Sequence, residues 1–360
     1  MTHHSPQPIS IDWDSLESKY NQYKEENPSA RSRDISNTLS VPEASFFEAQ
    51  LGVKSQRLDS KPMEMFPEMP KLGKIMSIVR NENAVHERKG VFQQIMVHEK
   101  PMMATVLGSD IDQRVFFRTW GSAYSFEMEG RRGTLEGLAF FDIHGNALMK
   151  LYKQDETDEA GWNAFIEKYK LENAEKPTYY QAPQPEKYTT ADMSSIDKDN
   201  FVNEWSQLKD THDFFMFLKK HNVCRTDALR LAEGKFAFKQ QNSLTNDLLA
   251  RVSSAGMPFM VFVGNPGIIQ IHDGVINKTF EQSGWLNIMD PEFNLHLNLE
   301  GVQETWHVVK PTVDGDVNSV ELYDKDGELI VTFFSSRKPG TPEREIWREI
   351  LEEVTNAVSA

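Results

Sequence analysis

Ten histidines are spread along the 360-residue chain, and their spacing limits the chemistry open to them. No two form an HxxxH or HExxH pair, so a zinc or di-iron cage built wholly from protein ligands is not expected. What remains is chemistry that uses one imidazole at a time. His212 stands in Asp210-Thr211-His212-Asp213-Phe214-Phe215, where Thr211 and Asp213 are typical of helix beginnings and an apolar run continues to Leu218. A lone imidazole beside two aromatics, at the mouth of a domain, suits an axial ligand to a planar metallocofactor. The competing reading is an exposed or capping histidine.

Arg114 lies in Gln113-Arg114-Val115-Phe116-Phe117-Arg118-Thr119-Trp120, a predicted strand whose period of two puts Arg114, Phe116 and Arg118 on one face. A guanidinium and a phenyl ring side by side can cover a flat ligand, one donating hydrogen bonds and the other packing. A solvated sheet face would read the same way. Arg225, Lys310 in Trp306-His307-Val308-Val309-Lys310-Pro311, and Arg337 after Phe333-Phe334-Ser335-Ser336 are further single cations beside apolar residues, each also consistent with a snorkelling surface side chain. There is no GxSxG elbow, Walker glycine loop or dinucleotide fingerprint. Asp155-Glu156-Thr157-Asp158-Glu159 precedes a predicted helix and reads as support for its N-terminus.

The net charge of −15 argues against a nucleic-acid binder, which needs a clustered excess of Lys and Arg. In so acidic a chain an anionic ligand requires a few bases converging in a pocket of opposite sign. The single cysteine, Cys224, excludes an internal disulfide framework, a CxxC zinc site and the CxxCH attachment of covalent haem. With no signal-peptide pattern and no apolar stretch of membrane-spanning length, a cytoplasmic protein without membrane insertion is expected.

These residues sit on a chain that reads as one unit written twice, with an offset of about 182 to 185 positions. Ser40-Val41-Pro42-Glu43 with Gly52 matches Asn222-Val223-Cys224-Arg225 with Gly234, and each predicts a helix start and a helix end. Met76 to Asn81 matches Met260 to Asn265, Phe141-Asp142 matches Tyr323-Asp324, and Trp162 and Trp347 open similar amphipathic helices. Asp12 to Glu26 predicts a further helix, and Ile75 to Tyr152 a sizeable antiparallel sheet. The predicted fold class is α+β with two tandem repeats, each a large antiparallel sheet with flanking helices. The expected division is 1–172 for the N-terminal repeat, 173–192 for a Pro-containing linker and 193–360 for the C-terminal repeat. Across the copies His212 aligns with Ala30 and Arg114 with His296, so the site candidates are not repeated.

Over nearly its whole length the chain resembles the bacterial haem-utilisation proteins of the HemS/ChuS/HmuS type, cytoplasmic proteins that bind and in several cases degrade haem. The resemblance rests on Ile78 to Glu87, Phe140 to Tyr152, Asp210 to Phe215 with Leu218 to Asn222, and Met260 to Asn265. Gly284 to Ile288, Lys310 to Gly315 and the Trp347 helix extend it. It implies a saddle-like molecule with a cleft on the second copy that holds non-covalent haem b. His212 would be the proximal ligand, Arg114 the distal arginine and Phe116 its aromatic neighbour. Arg225, Lys310 and Arg337 would face the propionates, and Phe259 and Phe262 would make apolar contacts. Where relatives often carry Gln and Tyr ahead of the last Arg, this chain has Thr332 and Phe334. The implied activity is oxidative opening of the ring with release of iron, with His212 and Arg114 as the catalytic pair and an external electron donor. The alternative is a non-enzymatic carrier that buffers haem delivered by an importer and hands it on. His86, which aligns with Gln270, is expected to be a turn residue or else a second haem contact.

Overall fold

The computed structural model of the protein describes residues 7–28, 30–130, 133–172, 175–181, 193–338 and 340–357. It divides into two compact units: Met1–Val79, Glu87–Pro183 and Asn265–Gln270 form the first, and Arg80–His86, Gln184–Gly264 and Ile271–Ala360 the second. Each unit includes a short segment of the other repeat.

Along the first repeat run α1 (Trp13–Glu26), α2 (Ser32–Leu39), α3 (Ala44–Ala49), β1 (Ser55–Leu58), α4 (Pro62–Met65), β2 (Gly73–Arg80), β3 (Ala84–Gly90), β4 (Gln94–His98), β5 (Met103–Leu107), β6 (Asp112–Phe116), β7 (Trp120–Gly130), β8 (Gly133–Asp142), β9 (Ala147–Thr157) and α5 (Glu159–Tyr169). The second carries α6 (Lys198–Trp205), α7 (Asp213–His221), α8 (Arg225–Leu231), β10 (Ala237–Gln240), α9 (Leu244–Ala255), β11 (Phe259–Asn265), β12 (Ile268–Gly274), β13 (Thr279–Gln282), β14 (Trp285–Met289), β15 (Phe293–Asn298), β16 (Glu304–Lys310), β17 (Val317–Tyr323), β18 (Leu329–Ser335) and α10 (Glu345–Ala357). The pairing repeats with the elements. In the first unit β1-β7-β8-β9-β2 are antiparallel neighbours, and so are β4-β5-β6. The second unit pairs β10-β16-β17-β18-β11 and β13-β14-β15 in the same way.

Helices cover both faces of the five-stranded sheet of the second unit. On one face α9 and α10 bury Leu248, Val252, Trp347 and Leu351 against Val261, Val320 and Phe333. On the other α6, α7 and α8 bury Trp205, Phe214, Phe217 and Leu229 against Trp306, Val308 and Tyr323. Because β17 lies between these layers, nearly all of it is buried, including Glu321. A carboxylate in that position must be paired.

The matched asparagines acquire a physical reason. Within the second unit Asn81 Nδ2 donates to the carbonyl of Ile330, 2.8 Å, and its Oδ1 accepts from the Asn83 and Ala84 N–H groups. Within the first, Asn265 Nδ2 donates to the Leu148 carbonyl, 2.9 Å, and its Oδ1 accepts from Gly267 N–H. The same side chain thus secures each exchanged segment.

Three local expectations need correction. Ser40 and Asn222 do not start helices. Both are left-handed residues, φ 54° and 51°, that end α2 and α7, and the next helices begin at Ala44 and Arg225. The turn glycines hold, since Gly52 and Gly234 have φ of 77° and 82° in open space. Second, part of the expected linker, 175–181, packs on the first unit: Tyr179 is buried, its carbonyl accepts from Ile9 N–H, and its hydroxyl lies 3.2 Å from that of Tyr124. Residues 173–174 and 182–192 lie outside the described residues. Third, β6 stops at Phe116, and Arg118 sits in a 3-10 turn rather than on the Arg114 face.

Candidate functional site

His212 is the N-cap residue of α7, but its side chain caps nothing; it is 91% exposed. The capping alternative is therefore set aside. Asp210 Oδ1 accepts from the backbone N–H of His212 at 2.8 Å and lies 2.6 Å from its Nδ1. These contacts, the backbone one first and the nearby Arg337 last, hold the Asp210 carboxyl below the usual carboxylate range despite partial burial. This contact suits the imidazole tautomer that donates from Nδ1 to the carboxylate, an arrangement that leaves the Nε2 lone pair for a ligand.

The loop after β16 is fastened beside this turn by Val313 N–H donating to the Lys209 carbonyl, 3.0 Å. From it Asp314 reaches Arg337, 3.7 Å, whose Nη1 donates to the Thr341 carbonyl at 3.2 Å. Two residues beyond His212, Phe214 turns inward. The Lys310 ammonium lies 4.8 Å and the Arg225 guanidinium 5.4 Å from its ring centroid.

Those two bases converge on Glu321. Lys310 Nζ donates at 2.6 Å, and Arg225 donates from Nε and Nη2 at 3.0 and 2.9 Å. Arg225 Nε also donates to the Tyr323 hydroxyl, which donates a short bond to Glu321. Burial alone would raise the Glu321 pKa, but Arg225 and Lys310 outweigh it and hold the carboxyl well below the usual range. Burial lowers that of Lys310 in spite of Glu321, and burial opposes but does not prevent a raised value for Arg225. Two bases share one carboxylate, so the cluster carries a local positive surplus in an acidic protein. Lys310 is only 3% exposed and belongs to the interior, whereas Arg225 is 33% exposed and its Nη1 donates to nothing among the described residues.

Strand register separates the two expected phenylalanines. Phe262 pairs with Thr332 and Thr332 with Glu321, so all three share the face that carries Lys310 and Phe334. Phe262 is half-buried, 5.1 Å from the Phe334 ring. Phe259, an odd number of residues away, points to the opposite face, fully buried against Phe333 in the other core. The expectation of a ligand contact at Phe259 is corrected: it has no surface to offer. His86 is corrected as well. It is neither a turn residue nor exposed, but a buried β3 residue 4.9 Å from the Phe293 ring.

In the first unit, Arg114 and Phe116 do share a face of β6, opposite Thr105 and Met103 of β5. Phe116 is exposed, while Arg114 Nη1 is held by Asp112, 2.5 Å, and the Gln113 carbonyl, 3.1 Å. Between them Gln113 turns to the core, donating to Ser77 and Gln270. Residue-type reasoning had missed Asp210, Asp314, Glu321 and Tyr323. A glutamate in the apolar stretch Val320-Glu321-Leu322-Tyr323 was the available signal for the last two.

The family model described as the haemin-degrading HemS.ChuX domain matches this chain twice, over residues 40–169 and 222–354. The chain therefore belongs to the HemS/ChuX haemin-degrading family. The two matches start 222 − 40 = 182 and end 354 − 169 = 185 positions apart, the offset read from the sequence. The hemin transport protein HmuS of Yersinia pestis is 32% identical over 346 residues, covering 95% of this chain and 98% of that protein. Among solved structures, holo-PhuS, a heme-binding protein from Pseudomonas aeruginosa, is 37% identical with a TM-score of 0.90, covering 95% of this chain and 99% of the other. The heme degrading enzyme ChuS of Escherichia coli O157:H7 is 32% identical with a TM-score of 0.86, covering 94% and 98%.

Proposed function

We propose that the chain binds haem b non-covalently through His212 and opens its ring with electrons supplied from outside, releasing iron. Haem is both ligand and substrate. The observation that carries this reading is the second unit's exposed, carboxylate-held imidazole beside a cluster with surplus positive charge. Imidazole is a common axial ligand of haem iron, and the two propionates call for cations. Arg225 offers its unused Nη1 to a propionate, and Arg337 is the second candidate. Lys310 acts from the interior, setting the local charge. Phe262 and Phe214 belong to the apolar surroundings, and Phe259 only supports the sheet.

Arg114 and Phe116 enter by family resemblance. Arg114 is proposed to supply a hydrogen-bond donor for the oxidative chemistry that haem would carry when bound. The chemistry belongs to the haem, and the protein orients it and supplies donors. No helix of the described residues is long and apolar enough to cross a membrane. A cytoplasmic site of action, with an importer handing over haem, fits that.

The relatives support two activities, since one is a transport protein and another degrades haem. As a carrier, the same pocket would release haem unchanged. The haem complex is mixed with ascorbate or an NADPH-driven reductase in air. Loss of the Soret band with release of CO and iron is expected for the enzyme, and an intact haem spectrum under turnover would leave the carrier.

A further inference from the structure

On the reading that His212 binds haem iron, we propose that Asp210 is a positioning residue that fixes which nitrogen of His212 meets the metal and strengthens its donation. The geometry is specific. His212 is almost fully in solvent, so packing does not restrain its ring, and the contact at 2.6 Å between Nδ1 and Asp210 Oδ1 is the polar restraint on it. The same oxygen accepts the His212 backbone N–H at 2.8 Å, which fixes the carboxylate relative to the ring it holds. A proton shared toward a carboxylate at Nδ1 places electron density at Nε2, and outer carboxylates of this kind raise ligand basicity. The chain beside Asp210 is itself fastened to the strand-loop layer through the Val313 to Lys209 bond. The first unit has Ala30 at the aligned position and Pro28 where Asp210 stands, so ligand and restraint are present together or absent together.

Asp210→Asn separates orientation from charge, because an amide oxygen still accepts both hydrogen bonds but carries no negative charge. In the ferrous haem complex the iron–histidine stretch, read by resonance Raman, is expected to fall in Asp210→Asn and the reduction potential to rise. Asp210→Ala adds a loss of haem affinity of about 10- to 100-fold, and Asp210→Glu restores part of it. Unchanged stretch and potential in Asp210→Asn, with wild-type affinity in Asp210→Ala, would overturn the positioning role. If His212→Ala itself keeps the wild-type haem spectrum, the failure lies instead with the haem-ligand reading. Thermal melting of each variant shows whether α7 remains folded.

Discussion

Where the second unit has Arg225 at the first position of α8, the first has Glu43 at the cap of α3; where the second has His212, the first has Ala30; and Glu321 aligns with Ala139. Around these differences the frame is the same, down to the left-handed Ser40 and Asn222 and the open turns at Gly52 and Gly234. The first unit keeps buried charges of its own. Arg57 is paired with Glu48, which also accepts from Tyr124, and Lys150 reaches Glu43 at 2.5 Å. Burial would raise the Glu43 pKa, but Lys150 and its neighbours hold it low. What separates the units is therefore not whether charge is buried but what stands beside it. Among the described residues, the second unit sets the exposed imidazole of His212 two residues before Phe214, whose ring faces the Arg225 and Lys310 cluster.

The largest effects are expected from unbalancing the buried clusters. Glu321→Gln leaves Arg225 and Lys310 without their carboxylate and should cost about 3–5 kcal/mol at neutral pH, measured by urea unfolding. Because the folded pKa of Glu321 is depressed, its contribution is present above the ordinary carboxylate range and is lost as pH falls below it. The gap between variant and wild type should narrow in acid. Arg57→Met strands Glu48 in the first unit and should cost a similar amount, about 3–5 kcal/mol, while haem affinity at the second unit stays near wild type. A large haem defect in Arg57→Met would break the comparison. Smaller effects belong to the shared frame. Gly52→Ala and Gly234→Ala should each cost about 1 kcal/mol from the left-handed backbone alone, and unequal costs would show that the two turns are not equivalent. Ala30→His should have the smallest effect: with Glu43 in place of Arg225, it is expected to add no second equivalent of haem in a titration.

Much of this frame was legible in the sequence. Turn glycines, paired asparagines and the Trp162 and Trp347 helices recur because backbone geometry and core packing demand particular residue types at particular places. Helix starts were displaced because Ser and Asn serve equally as caps and as left-handed stops, and local sequence does not separate the two. His212 and Arg114 stood out as unrepeated residues, and Arg225 as a single cation beside apolar neighbours. The partner of Arg225 and Lys310 did not, because Glu321 meets them only through tertiary packing, and one acid among many has no distinguishing spacing. Phe259 was misassigned for the same reason: an apolar strand covered on both faces shows no alternation from which to read a face. Asp210 was in view beside His212, but its role depends on a side-chain contact that spacing alone does not specify.

Haem ligation by His212 is tested most directly by an anaerobic haem titration of the wild-type chain and His212→Ala, followed at the Soret band. One tight equivalent with a histidine-ligated spectrum is predicted for the wild type, and a loss of affinity of about 100-fold or more with a changed spectrum for the variant, on the scale of removing a single dominant ligand. An unchanged spectrum and affinity in His212→Ala would contradict it.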